Sequence, residues 1–203
     1  MKQIATIVNN NQPGWQNIVE TGPNVTLPIG TPLYLAEPFL ALGSPLGGGY
    51  FAGEMTIDGV HYGLVVAPKA AGEKKLRYKK SNTASAADSD DDGLANSELI
   101  NNELHPAAQF CRSLQLDGHK DWYLPSRDEL AMLCRNLGPN RKNTPEPFRV
   151  GGTEAFEPDW YWSSTEYASY SYDAWVVGFY YGYQYDGTKS SSFGVRAGRR
   201  FKI

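Results

Sequence analysis

Pro125-Ser126-Arg127-Asp128-Glu129-Leu130-Ala131-Met132-Leu133-Cys134-Arg135-Asn136-Leu137-Gly138-Pro139 is the stretch on which the fold class turns. Ser126 is an N-cap residue and Glu129 stands three positions on, the spacing of a capping box. Leu130, Leu133, Cys134 and Leu137 recur at helical spacing, and Gly138-Pro139 ends the run. A shorter helix is predicted upstream, opened by His105-Pro106, with Ala107, Ala108, Cys111 and Leu114 on one face.

Strands lie on both sides of these helices. Gly47 to Ile57 leads into Asp58-Gly59, a hairpin signal, and Val60 to Pro68 returns as a second strand. Beyond the helices come Trp160 to Ser164, Ala174 to Phe179 and Phe193 to Ala197, with Asp186-Gly187 read as the turn between the last two. Lys69 to Lys80 is basic and Ser81 to Asp92 turns acidic, which reads as a long surface loop. Strands, two helices, then strands predict a mixed α+β domain. It runs over residues 43–203.

Residues 1–42 differ in kind. Asn9 to Gly14 is a turn cluster, and Pro23, Pro28, Pro32 and Pro38 break Val25-Thr26-Leu27 and Leu33-Tyr34-Leu35 into extended pieces. Such an arm holds too little core to stand alone. It is expected to serve attachment or oligomerisation, with a trimer favoured.

Composition narrows the function. Of 203 residues, 41% are hydrophobic and 20% charged, with 19 Lys+Arg against 22 Asp+Glu. A net charge of −3 gives no global electrostatic case for nucleic acid, and no apolar run is long enough for membrane insertion. Two cysteines make neither a disulfide framework nor a zinc site.

Candidate chemistry is sparse. Asp88-Ser89-Asp90-Asp91-Asp92-Gly93 resembles the start of a calcium loop, but Leu99 stands where a bidentate Glu is needed and Glu98 is one residue early. A solvated acidic loop is the better reading, so no metal is assigned. His61, His105 and His119 lack metal-ligand spacing and read as satisfied or exposed side chains. Cys111 and Cys134 lie on apolar helix faces. Ser163-Ser164-Thr165-Glu166 has no histidine nearby to activate it. Gly47-Gly48-Gly49 lacks the Lys-Ser/Thr of a phosphate loop, and Arg196, Arg199, Arg200 and Lys202 read as partners of the domain's own carboxylates. No catalytic residue and no cofactor are predicted.

The segment from Tyr167 to Ser192 stands apart, with 7 of the 13 tyrosines and 5 serines in 26 residues. Tyrosine supplies rigid amphipathic area and small polar residues supply adaptable hydrogen bonds, which is the chemistry of a binding surface. One core face does not bury all of these rings, and clustered exposed aromatics mark interaction sites. Period-two alternation places Trp175, Val177 and Phe179 inward and Val176, Gly178 and Tyr180 outward. Trp162, Trp175, Phe179, Val195 and Ala197 form the expected framework beneath. Ligand contact is assigned to Tyr170, Tyr172, Asp173, Val176, Gly178, Tyr180, Tyr181, Tyr183, Tyr185 and Asp186, with Gly178 leaving a gap for a ligand group or a neighbouring tyrosine.

Several motifs together carry a family resemblance. They are Gly47 to Gly53, Val65-Val66-Ala67-Pro68, Gly93-Leu94-Ala95-Asn96-Ser97, Asp121 to Leu130, Tyr161 to Glu166, Ala174-Trp175, Phe179 and Val195 to Phe201. Over about 43–203 the chain resembles the C-terminal domain of Legionella-type collagen-like adhesins. That family implies a divergent C-type-lectin-like fold, without the sugar-binding calcium motifs of ordinary C-type lectins. It also includes variable proteins of diversity-generating retroelements, often on phage tail fibres. Adenine randomisation of Asn codons excludes Lys, Glu, Gln, Met and Trp, and only Trp175, Gln184 and Lys189 between Tyr167 and Ser192 fall outside the permitted set.

The expectation is therefore a non-enzymatic binding protein, with a host-surface protein or glycan receptor as partner. The N-terminus reads as lacking a signal peptide and a collagen-like stalk, which favours a phage tail-fibre virion over a bacterial surface adhesin. A structural virion protein and an enzyme like the formylglycine-generating oxidases, which share the fold broadly, are the alternatives.

Overall fold

At Asp58-Gly59 both residues hold positive φ, 48° and 76°, the backbone that a tight hairpin turn demands. The turn joins β4 (Gly49–Ile57) to β5 (Val60–Val66), which pair from Ile57 opposite Val60 back to Tyr50 opposite Val66. The computed structural model describes residues 40–203 together with two N-terminal strands, β1 (Ile4–Ile7) and β2 (Asn17–Glu20). The chain divides into compact units at Met1–Phe39 and Leu40–Ile203. In the first unit β1 and β2 pair antiparallel, Ile4 opposite Glu20. The proline-broken segments 25–27 and 33–35, and with them the oligomerisation expected of the arm, lie outside the described residues.

The second unit is an α+β domain of two sheets. One has the order β11-β5-β4-β3, with β3 at Pro45–Leu46 and β11 at Gly198–Lys202. The other is ordered β6-β10-β7-β8-β9, from β6 (Glu73–Arg77), β7 (Trp160–Glu166), β8 (Asp173–Gly178), β9 (Gln184–Thr188) and β10 (Ser192–Arg196). Only its β10–β7 pairing is parallel. Ala197 passes the chain from one sheet to the other. Its N–H donates to the Gly72 carbonyl (3.0 Å) and its carbonyl accepts from Ala67 (2.9 Å).

Helices α1 (Lys69–Gly72), α2 (Gly93–Leu99), α3 (Pro106–Arg112) and α4 (Arg127–Leu137) fill the connections. The capping box of α4 forms as its sequence predicts. Ser126 Oγ accepts from the Glu129 N–H, and Glu129 Oε2 accepts from the Ser126 N–H at 2.8 Å. Leu130, Leu133, Cys134 and Leu137 are buried, as are Ala107, Ala108 and Cys111 of α3. Arg196 is fully buried between Glu154 (2.7 Å) and Glu73 (3.2 Å), and Arg200 grips Asp92 through both terminal nitrogens. The basic C-terminus does pair inward.

Three local expectations are corrected. The basic stretch from Lys69 is not loop: it forms α1 and then β6, whose Leu76 packs on the core while Lys74, Lys75 and Arg77 face outward. The acidic run ends in a helix, since Asp92 Oδ1 accepts from the Ala95 N–H and caps α2. Asp186-Gly187 is not a turn but lies inside β9, where Gly187 lets the Trp162 and Phe193 rings close over the backbone.

The centre of the five-stranded sheet has core on both faces. Ala174, Val176, Trp162 and Val195 join one apolar cluster with Trp122 and Tyr78. Val177, Phe179 and Tyr161 join another with Leu64, Leu130 and Leu133. This is why β8 breaks the alternation expected of it: a strand with core on both sides has no solvated face to mark.

Candidate functional site

Strand β8 carries the tyrosines to its two ends rather than to one face. Tyr170 and Tyr172 lie in the loop before it, Tyr180, Tyr181 and Tyr183 in the turn after it, and Tyr185 on β9. All six are at least half exposed. Five residue steps at about 3.3 Å each set the two ends roughly 16 Å apart, and Tyr185 lies between them, opposite Val176.

The turn end makes a groove. Its walls are Tyr180, Tyr181 and Tyr183, with Pro158, Asp159 and Trp160 opposite, around a volume of about 310 Å³. Tyr180 and Tyr181 meet edge-on at 4.3 Å between ring centroids, and Tyr183 tilts against Tyr181 at 5.7 Å. Trp160 reaches across Gly178 toward Tyr185, 6.4 Å away. A second hollow of about 330 Å³ adjoins across Pro158 and Tyr180 and is walled by Asn140, Val150 and Glu157. Lys75 donates to Asp159 at 2.7 Å and holds that carboxyl below its usual range. The groove thus offers aromatic walls with one fixed ion pair at the rim.

The loop end is a separate aromatic group. Tyr167 stacks on Tyr170 at 6.1 Å and meets Trp175 edge-on at 4.9 Å, while the Arg127 guanidinium lies 5.0 Å over Trp175. Arg127 is itself tied to Asp90 at 3.0 Å. Beneath this loop Lys189, without exposed side-chain surface, donates to Glu166 and to the Ser171 carbonyl, each at 2.6 Å.

Two residues expected to face a ligand are placed differently. Val176 is only 2% exposed, packed in the cluster around Trp162. Gly178 has little exposed surface and lines the base of the groove, but the Trp160 ring occupies the space a side chain would take, so its gap is already filled. Trp175 is displaced the other way: it is half-buried beside Tyr167 and Arg127 instead of joining Phe179 beneath the sheet. Trp162, Phe179, Val195 and Ala197 are buried. Asp173 and Asp186 are partly exposed, on the same face as Trp175.

Pro158, Asp159, Trp160 and Arg127 went unread as site residues. Trp160 carried the available signal, since it shares the face of Trp162 two residues on but stands at the strand's start, where core gives way to solvent. The histidine and cysteine readings hold in the geometry. His105 sits between Ser85 Oγ (3.0 Å) and Asn102 Oδ1 (2.9 Å), and burial with the nearby Lys79 and Lys189 lowers it to about 4. Burial raises the thiols of both Cys111 and Cys134.

Among solved structures, a fimbrial protein from Bacteroides ovatus ATCC 8483 is 16% identical, with a TM-score of 0.48 over 68% of this chain and 35% of that one. The chain thus spans about a third of that protein's length. No curated protein matches the sequence. The description of the Lcl C-terminal domain fits residues 73–199, from β6 through the tyrosine segment into β11. With well over half its length so matched, the chain belongs to the Lcl C-terminal domain family.

Proposed function

We propose that this chain is a non-enzymatic receptor-binding protein that meets its target through the tyrosines flanking β8, with the groove at Tyr180, Tyr181 and Tyr183 as the principal contact. The observation that carries the reading is six tyrosines between Tyr170 and Tyr185, each at least half exposed, on a scaffold whose other large aromatics are mostly buried. Exposed rings contribute little to folding, yet in interfaces they are the usual hot spots. Membership of an adhesin domain family supports a place on an outer surface, and the tip of a phage tail fibre is the assignment we favour over a bacterial surface. A C-type-lectin-like scaffold is part of the same reading. The tyrosine segment is further proposed to be retroelement-diversified, since Trp175, Gln184 and Lys189 are the only residues outside the permitted set and Lys189 is an internal anchor.

The DNA beside the gene tests the diversified version. A near-identical repeat with adenines at the codons of the exposed tyrosines is expected, next to a reverse transcriptase; their absence leaves a fixed binding domain. Labelling of the native protein with a thiol reagent tests the rest, since reactive cysteines are what an oxidase of the formylglycine-generating kind requires. Both thiols are buried, so labelling is expected to be slow, and rapid labelling of either overturns the non-enzymatic reading.

A further inference from the structure

The five-stranded sheet ends on β9, and the outer edge of that strand is open. Gly178 N–H donates to the Tyr183 carbonyl (2.9 Å) and Lys189 N–H to the Tyr172 carbonyl (3.0 Å), which sets the phase of the β8–β9 ladder. Tyr183, Tyr185, Gly187 and Lys189 therefore turn their backbone groups toward β8, while Gln184, Asp186 and Thr188 turn theirs away. Of these outward groups, the Thr188 carbonyl alone meets a backbone partner among the described residues, the Ser191 N–H at 2.7 Å.

Open edges invite pairing with another chain unless they are guarded, and the domain's other edges are. β6 carries Lys74, Lys75 and Arg77, β3 is two residues long, and β11 is bridged to Tyr123 at Gly198 and carries Lys202. β9 reads Gln184-Tyr185-Asp186-Gly187-Thr188, with no cation, no proline and no break in register. Its charge is negative. Asp186 lies opposite Trp175 and Asp173 opposite Thr188 on one face, and neither has an ion-pair partner among the described residues. The segment's one lysine, Lys189, is buried on Glu166.

We infer that β9 receives an extended, basic polypeptide segment of the receptor as a sixth strand. Backbone groups of Gln184, Asp186 and Thr188 hold its main chain, Asp186 and Asp173 take a Lys or Arg side chain, and Tyr185 packs on its opposite face. This deepens the proposal above and rests on it for the location of the contact, while committing the partner to protein. A peptide offers donors and acceptors at the two-residue repeat of the strand, which a glycan does not. A second copy of β9 fits poorly, because two-fold pairing centred on Asp186 sets like charges directly opposite.

The probe is the peptide Thr-Val-Thr-Lys-Thr-Val-Thr, blocked at both ends and added to the full chain, with amide hydrogen exchange as the readout. Exchange at Asp186 and Thr188 is expected to slow by about tenfold or more, and the same peptide N-methylated at alternate residues is expected to give no protection. Replacing the peptide's Lys by Glu should weaken binding about tenfold, and Asp186→Asn combined with Asp173→Asn should remove that preference. Asp186→Pro removes an outward N–H and the carboxylate but no bond to β8, so it should abolish protection at Thr188, beyond the loss seen in Asp186→Asn, while the β8–β9 ladder persists. Equal protection by the N-methylated peptide, or none at millimolar peptide, overturns edge pairing. So does protection that grows with protein concentration alone, which identifies a second copy as the occupant. If edge protection fails while Tyr180→Ser/Tyr183→Ser/Tyr185→Ser still loses adsorption to cells, the tyrosine surface stands and only the edge is lost. If the peptide protects β9 but that variant adsorbs normally, the tyrosine reading is the one that falls.

Discussion

Lys189 and Glu166 form a buried ion pair that fastens three loops at once. Lys189 Nζ donates to Glu166 Oε2 (2.6 Å), to the Ser171 carbonyl (2.6 Å) and to the Thr83 carbonyl (2.9 Å), and the Ser85 N–H donates to the same carboxylate. The loop bearing Tyr170 and Tyr172 is thereby tied to the 81–87 loop and to the end of β9.

Removing one member of such a pair strands the other charge. Lys189→Met should cost about 3–5 kcal/mol in denaturant unfolding, and Lys189→Met with Glu166→Leu should recover a good part of that loss. Limited proteolysis should find the Tyr167–Tyr172 loop newly cleavable in the single variant. Equal stability of single variant and parent would show that the pair does not hold the loop.

Tyr180, Tyr183 and Tyr185 are expected to separate binding from folding. Each is at least half exposed, so the triple serine variant should keep its stability within about 1 kcal/mol. Adsorption of the labelled protein to target cells should fall to background. A collapsed fold in calorimetry would make these rings core rather than contact.

The two tryptophans should part company. Trp162 is fully buried and donates its indole N–H to the Leu76 carbonyl at 3.1 Å, so Trp162→Ala should cost about 3–5 kcal/mol. Trp175 is half-buried under Arg127, and Trp175→Ala should cost about 1–2 kcal/mol, nearer a surface aromatic pair. Equal losses in chemical denaturation would return Trp175 to the core.

Glu129 gives the fold a pH signature. Burial pushes its carboxyl up to about 7, against hydrogen bonds from Tyr123 and the Ser126 N–H that favour the charged form. Between about 4.5 and 7 the native chain keeps a proton that the unfolded chain releases. This contribution to stability is therefore complete below about 4.5 and is lost as pH rises through 7, with a size on the order of 3 kcal/mol. Glu129→Gln stays neutral, so the Tm of the parent relative to the variant should fall from pH 5 to pH 8. Parallel Tm curves would show that Glu129 does not titrate in that window.

Local signals carried the sequence reading where one stretch of chain decides its own structure. The α4 capping box, the α3 face of Ala107, Ala108 and Cys111, and the Asp58-Gly59 turn depend on residues a few positions apart, and each was legible. The crowding of tyrosines between Tyr167 and Ser192 was equally plain, because a surplus of rings over core positions is a matter of count. What the alternation along β8 hid was decided by distant chain. Val176 is covered by the cluster around Trp162, Gly178 by the Trp160 ring, and Asp186-Gly187 is held straight by pairing with Ala174 and Trp175. Lys74 and Lys75 read as loop until β10 supplied a partner strand. A strand's faces and edges belong to its neighbours, which its own residues do not encode. The tyrosine count alone thus establishes a surplus of rings that the core does not absorb, and only the assembled sheet sets their placement and opens the edge of β9.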